Sequence, residues 1–301
     1  SAALTLSSGD ADVNAASYTG AITATVTGTA AAAYSLGTTS SSLASSNSGG
    51  LSVNAEALAD GQVLTLSGTG NVTVGNLLAD LTSTSTGTVA VTLDDDGLSG
   101  AVNATITNTA ASGTLTVANG TFADGDTLTL AGSGAISVTG LVANLVATTA
   151  TGAVTVAAVD DVSITTGSGA TTISETAGKT ALVNATAMSD GGTLTLSGAG
   201  GFTVTGLQAD LSSSADGGAL SVTTADVATQ TIALGSGITG TRTVNATAMT
   251  DGDALMLTGS GALTLSSDDA DVNAAAYTGA ITATVTNAAD ATLQIGTANA
   301  T

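Results

Sequence analysis

Residues 183–200 read VNATAMSDGGTLTLSGAG, and residues 244–261 read VNATAMTDGDALMLTGSG. The phrase also occurs as VNAEALADGQVLTLSGTG over 53–70 and, in a shorter form, as TFADGDTLTLAGSG over 121–134. Its Asp-Gly pair falls at Asp60, Asp124, Asp190 and Asp251, at spacings of 64, 66 and 61 residues. Self-similarity at a period of this size is the signature of a repeat architecture. The unit is about 64 residues with tolerated insertions.

A longer echo agrees. ADVNAASYTGAITATVT over 11–27 returns as ADVNAAAYTGAITATVT over 270–286, a displacement of 259 residues, close to four units. Ser1 then aligns with Ser260, so both ends show the same phase of one array. Residues 1–301 read as a single continuous repeat array with units 1–52 (partial), 53–116, 117–182, 183–243 and 244–301 (partial). Neither end has the look of a capping repeat, and no basic segment leading into an apolar run follows Ser1, as a mature product or a window on something longer would read.

Inside each unit, runs such as TLTL, AISV, FTVT, AVTV and ALSV recur every 8 to 10 residues between Gly, Asp, Asn and Ser. Short β-branched runs with apolar-polar alternation, bounded by turn residues, predict strands. Leu128 and Leu130 should face one way, Thr127 and Thr129 the other.

The core these strands can build is thin. Two Phe, three Tyr and no Trp serve 301 residues, and Pro is absent. Immunoglobulin-like sandwiches need roughly 100 residues per module and large residues between two sheets. A parallel β-solenoid needs only stacked Val, Ile, Leu and Ala, with each coil pairing to the next. The expected fold is therefore all-β, a parallel β-solenoid (β-helix) of about four 64-residue repeats. Three coils of about 21 residues per unit fit, with two or three strands per coil.

Charge narrows the function. Asp and Glu number 23 against Lys179 and Arg242, a net charge of -21. Nucleic acid and anionic membranes are bound through Lys and Arg, so neither is an expected partner. No apolar run approaches about 20 residues, so no membrane span is expected. With no His, no Cys and no basic partner for any Ser, catalysis is not expected either.

The acidic loops offer a metal reading. Asp10 and Asp12, Asp94, Asp95 and Asp96, Asp160 and Asp161, and Asp268, Asp269 and Asp271 place carboxylates close together in turns. Calcium takes six to eight oxygens, and it would relieve the repulsion of Asp side chains stacked coil on coil, about 0.9 kcal/mol per pair at ~4.8 Å. Solvated strand-ending turns explain the same residues without a metal. A lone pair such as Asp124-Gly125 reads as a turn.

Asn14, Asn54, Asn103, Asn184, Asn245 and Asn273 all follow Val, as suits an Asn that accepts a tight left-handed turn and bonds along a stack. Asn71, Asn103, Asn119, Asn184, Asn245 and Asn299 also satisfy N-x-[ST], a pattern that a Thr-rich chain meets by chance. Rows such as Thr23, Thr25 and Thr27 raise an ice-binding array, though Thr suits any solvent-facing strand.

VNATAMTDGDALMLTGSGALTL from Val244 and TGLVANLVATTATGAVTV from Thr139 resemble the long Ala/Gly/Ser/Thr-rich β-strand-repeat surface proteins of bacteria, which include S-layer-like, adhesin-like and fibre-forming members. The resemblance covers essentially the whole chain and rests on composition and period. It implies a secreted protein at or beyond the cell surface, in a filament, sheath, surface layer or biofilm matrix. Copies of itself end to end, and cell-surface polysaccharide, are the partners that go with it. The alternative is a calcium-dependent adhesin stalk.

Overall fold

The computed structural model describes residues 1–95, 102–236, 239–286 and 291–296. Among these the chain forms thirty strands of two to seven residues and no helix, and none therefore long and apolar enough to cross a membrane. It is an all-β parallel β-solenoid of about 15 turns, each turn giving one strand to each of two sheets. Two strands per turn, rather than three, is the arrangement adopted.

The chain divides into two compact units, Ser1–Val154 and Thr155–Thr301. In the first, strands beginning at Leu4, Ile22, Ser41, Val63, Asp80, Asn103, Thr127 and Asn144 lie side by side in one sheet, and the strands between them form the other. In the second unit, strands beginning at Val162, Thr180, Gly201, Leu220, Arg242, Leu263 and Ile281 form one sheet, and the intervening strands form its counterpart.

Alternation buries every second side chain. Leu128 and Leu130 are fully buried, while Thr127 and Thr129 are partly open to solvent. Because the register sets like on like, apolar residues form columns. Tyr34, Val53, Val74, Val91, Val117 and Val138 are consecutive partners in the first unit. Ile164, Val183, Val204, Val222, Val244 and Leu265 do the same in the second. Each such side chain contributes about 1.5–3 kcal/mol by leaving water, so a core without Trp suffices.

Turn length is uneven but patterned. Offsets between paired residues run from 16, as in Leu77 to Leu93, to 26, as in Val89 to Leu115. Each TLTL strand is followed by a 17-residue turn: besides Leu64 with Leu81, Leu128 pairs with Leu145, Leu194 with Leu211 and Leu255 with Val272. Counted along the chain, the TLTL strand at Thr127–Gly132 is the sixth after the one at Val63–Gly68, and the one at Ala254–Gly259 is the sixth after the one at Thr193–Gly198. These are the three coils expected of a unit. The 66-residue spacing between them holds seven strands, an odd number, so there the unit is three and a half turns.

The Gly-x-Gly that ends each TLTL strand is dictated by crowding. Gly68, Gly132, Gly198 and Gly259 all have positive φ, and an added Cβ would lie 2.1, 2.1, 2.3 and 1.7 Å from the carbonyl oxygens of Ser45, Asn108, Glu175 and Leu234. The backbone crosses the preceding turn there with no room for a side chain. In three corners the crossing is secured by N–H groups on that carbonyl, from Gly70 to Ser45, Gly134 to Asn108 and Gly200 to Glu175, at 2.8, 2.8 and 3.0 Å.

Leu194→Ala should cost about 2–5 kcal/mol, because it opens a cavity in a column that cannot close. Thr195→Ala, one residue along on the outward face, should cost under about 0.5 kcal/mol. Urea denaturation of the two variants beside the wild type measures both.

Candidate functional site

The VNA segments build a repeated corner. Oδ1 of Asn14, Asn54, Asn184, Asn245 and Asn273 accepts the N–H two residues on, at 3.1–3.2 Å. Two residues beyond that N–H, Leu58, Met188, Met249 and Tyr277 turn inward and plug the corner, fully buried. The amide of each plug donates to the carbonyl three residues back. The expected left-handed turn at these Asn residues is not adopted: among described non-Gly residues only Asn76 has positive φ. A side-chain turn replaces a backbone one, which is the other way Asn ends a strand.

The Asp-Gly pairs are turns, as read. Gly61, Gly125, Gly191 and Gly252 carry the positive φ, and Asp60, Asp124, Asp190 and Asp251 are exposed beside them. Where a further Asp follows, it closes the turn. Asp253 Oδ2 accepts the Thr250 N–H at 2.7 Å, and buried Asp126 accepts from Ala123 and from Val102, each at 2.8 Å.

Most acidic residues singled out as metal candidates reach to the next turn. Asp10 and Asp12 accept the N–H groups of Ala30 and Ala33 at 2.8 Å. Asp94 accepts the Thr121 hydroxyl at 2.6 Å, and the Asp95 N–H donates to that hydroxyl at 2.7 Å. Asp161 accepts the Thr180 N–H at 2.7 Å, while Asp160 meets the Lys179 ammonium. Asp268 accepts the Thr286 hydroxyl at 2.7 Å, and Asp271 accepts both the N–H and the hydroxyl of Thr292 at 2.9 and 2.6 Å. Asp269 is partly buried, and Asp96 lies outside the described residues.

Two acids outside this set carry a signal that the metal reading passed over. Asp80 and Asp210 accept the N–H groups of Thr105 and Thr231, both at 2.7 Å. The recurring Ala-Asp-Val and Ala-Asp-Leu triplets at 11–13, 79–81, 209–211 and 270–272 mark one position, a strand opening with a carboxylate that caps the turn beyond. The assumption that Asp stacks on Asp therefore fails at these places: the neighbour along the axis is an N–H or hydroxyl donor. Among the described residues no three Asp, Glu, His or Cys groups converge as a metal-sized cluster.

One pair does bring two carboxyls together. Asp226 and Asp253 share a hydrogen bond, which raises Asp226; Asp253 is lowered chiefly by the Thr250 N–H. The two cations are accounted for differently. Lys179 sits 38% exposed against Asp160, which is 37% exposed. That contact holds Lys179 above and Asp160 below their ordinary values. Arg242 is 3% exposed in the core column, and its guanidinium donates to the Ser260 carbonyl and, at 3.4 Å, to the Tyr277 hydroxyl.

The outward faces of the strands are almost free of charge. Thr5, Thr23, Ser42, Thr65, Thr82 and Thr107 form one column in the first unit. In the second, Ser163, Leu182, Thr203, Ser221, Thr243, Thr264 and Thr282 form another, interrupted by Leu182 at 55% exposure. Compared with protein-family profiles, with curated proteins and with solved structures, the chain finds no match.

Two pH dependences follow. Asp226 is raised, so its contribution is present at low pH and lost as pH rises through the raised value. Asp226→Asn, a permanent donor to Asp253, should raise the melting temperature at pH 7 and leave it unchanged below the ordinary Asp value of about 3.9. Asp271 is lowered by the Thr292 hydroxyl and N–H, so its contribution is present above about 3.9 and fades as pH falls through the lowered value. Asp271→Ala should therefore melt lower than wild type at pH 7, with the gap closing in acid. Thermal melts across pH 2–8 read both signs.

Proposed function

We propose that the chain is an extracellular structural protein, a β-solenoid segment of a bacterial fibre, sheath or surface layer, with no catalytic task. The observation that carries this reading is where its bonding capacity goes. Backbone ladders in both sheets, apolar columns and the caps from Asp12, Asp80, Asp210 and Asp271 all run between successive turns. Such bonding favours extension and stiffness along the axis.

Its association with copies of itself follows from the same chemistry. A parallel ladder is extended by any further turn of matching register, and strand edges left open are templates for pairing. End-to-end association, with cell-surface polysaccharide as a neighbour, fits the neutral hydroxyl-bearing faces and the acidic corners. The resemblance to bacterial β-strand-repeat surface proteins points the same way.

A second reading is favoured by Asp94 with Asp95 and Asp160 with Asp161, paired acids at single corners: a calcium-stiffened adhesin stalk. Electron cryo-microscopy of the purified protein, before and after a calcium chelator, separates the two. Long filaments with an axial repeat near ~4.8 Å that survive chelation are expected of the fibre. Separate short rods, or rods that come apart on chelation, would replace it with the stalk.

A further inference from the structure

One of the four Gly-x-Gly crossings covers an acid. At three of them the second Gly passes directly over the side chain that ends a strand of the turn before: an added Cβ on Gly70, Gly134 and Gly200 would lie 2.7 Å from Ser45 Oγ, 2.6 Å from Asn108 Cγ and 2.2 Å from Glu175 Cγ. Ser45 and Asn108 are neutral and have partners. Ser45 Oγ accepts the Asn47 N–H at 3.3 Å, while Asn108 accepts the Ala110 N–H at 3.1 Å and donates to the Ala135 carbonyl at 2.8 Å. The fourth crossing, at Gly259, runs over the apolar Leu234. Only Glu175 can ionise there.

Glu175 ends the strand Thr171–Glu175 and is 2% exposed. Its Oε1 accepts the Thr176 N–H at 2.8 Å, whereas the buried Oε2 has no hydrogen-bond partner. One donor is far short of what a carboxylate needs, since its two oxygens offer about four acceptor sites. A buried charge so poorly met costs more than keeping the proton. Burial accordingly pushes the Glu175 carboxyl up, and Asp161 and Asp160 on the preceding turn push the same way, against the Thr176 N–H and Lys179. On the other side the crossing reads Gly-Ala-Gly-Gly over 198–201 and carries no charge. Asp216 lies one level further on, its N–H donating to the Gly198 carbonyl at 3.0 Å.

We propose that Glu175 is a pH-sensitive latch on the turn that follows it: neutral, it lies packed beneath the Gly198-Ala199-Gly200 crossing, and ionised, it loosens that crossing. The mechanism is steric as much as electrostatic. Gly200 sits on Glu175 Cγ, and the Gly198 and Gly200 backbone closes on the Glu175 main chain, where the Gly200 N–H donates to its carbonyl at 3.0 Å. An ionised side chain therefore reaches water only by displacing the backbone above it. The sign is opposite to that at Asp271. A raised carboxyl contributes stability that is fully present below the ordinary Glu value of about 4.3 and is lost as pH rises through the raised value. The latch holds in acid and eases as the proton leaves.

The latch goes beyond the structural role proposed above and does not depend on it. Glu56 and Glu175 are the only Glu residues, so carbon-13 NMR of protein labelled at the Glu carboxyl carbon gives two signals, one of them from the exposed Glu56. Glu175→Gln removes the other and so assigns it. The Glu175 signal should titrate above about 4.3, and the amide signals of Gly198 and Gly200 should move with the same midpoint. Titration of Glu175 at the ordinary value would overturn the buried neutral acid. Amides that stay in place while Glu175 ionises would overturn the latch. The melting temperature of the wild type should also fall relative to that of Glu175→Gln as pH rises through the same range, and parallel curves would count against the proposal. Glu175→Asn, which copies the corner at Asn108, takes over the comparison if the Gln variant does not fold.

Discussion

Everything in this chain depends on the in-register parallel stacking of one turn on the next, at the ~4.8 Å spacing that a ladder of backbone hydrogen bonds sets. A residue then has two fixed neighbours, the one above and the one below. This makes a small-residue core workable, because a Val column needs only another Val at the next level, as from Val53 to Val138. The same stacking explains the cost of any crowding. Where the chain crosses the turn below at Gly68, Gly132, Gly198 and Gly259, a single methyl group would meet a carbonyl.

Strands and core were legible in the sequence for a simple reason: burial follows the two-residue period, and Leu128, Leu130, Val138 and their kin announce it. The number of strands in a turn was not legible, since a loop and a corner look alike in Gly, Asn and Ser. The half-turn of extra length in the 66-residue spacing was hidden for a related reason. Residue count is nearly constant across the repeats while strand count is not, so the phrase recurs on schedule even as it lands one strand later. The burial of Arg242 was not legible either, because the alternation pattern does not say what a lone cation in a strand meets. Its partner Leu220 sits in the buried column, and only the fold shows that the guanidinium turns to carbonyl and phenol oxygens inside.

The acidic residues divide along the same line. Their clustering in turns was visible, but their partners are 18 to 27 residues away, one turn along the axis, and no local spacing reports them. The clue that did exist was repetition of place. Ala-Asp followed by Val or Leu opens a strand at Asp12, Asp80, Asp210 and Asp271, and a carboxylate that returns to one structural position is better explained by a task in the ladder than by chance. At the fifth such place, after the TLTL strand at Thr127–Gly132, the residue is Asn144.

That placement bears on how a chain of net charge -21 can stack at all. Like charges on adjacent turns would repel by about 0.9 kcal/mol per pair even in bulk water, and more near protein, so an unbroken column of Asp would oppose its own ladder. At Asp12, Asp80, Asp210 and Asp271 the chain avoids such columns by alternating the partner: carboxylate on one level, an N–H on the next, so that these Asp residues meet a donor along the axis. Where two carboxyls do meet, at Asp226 and Asp253, the contact pushes Asp226 above its ordinary value. Where a carboxylate meets a cation, at Asp160 and Lys179, the pair is flanked by backbone bonds on both turns. Acidity is thus kept to the corners and satisfied axially, which leaves the strand faces to neutral Ser and Thr.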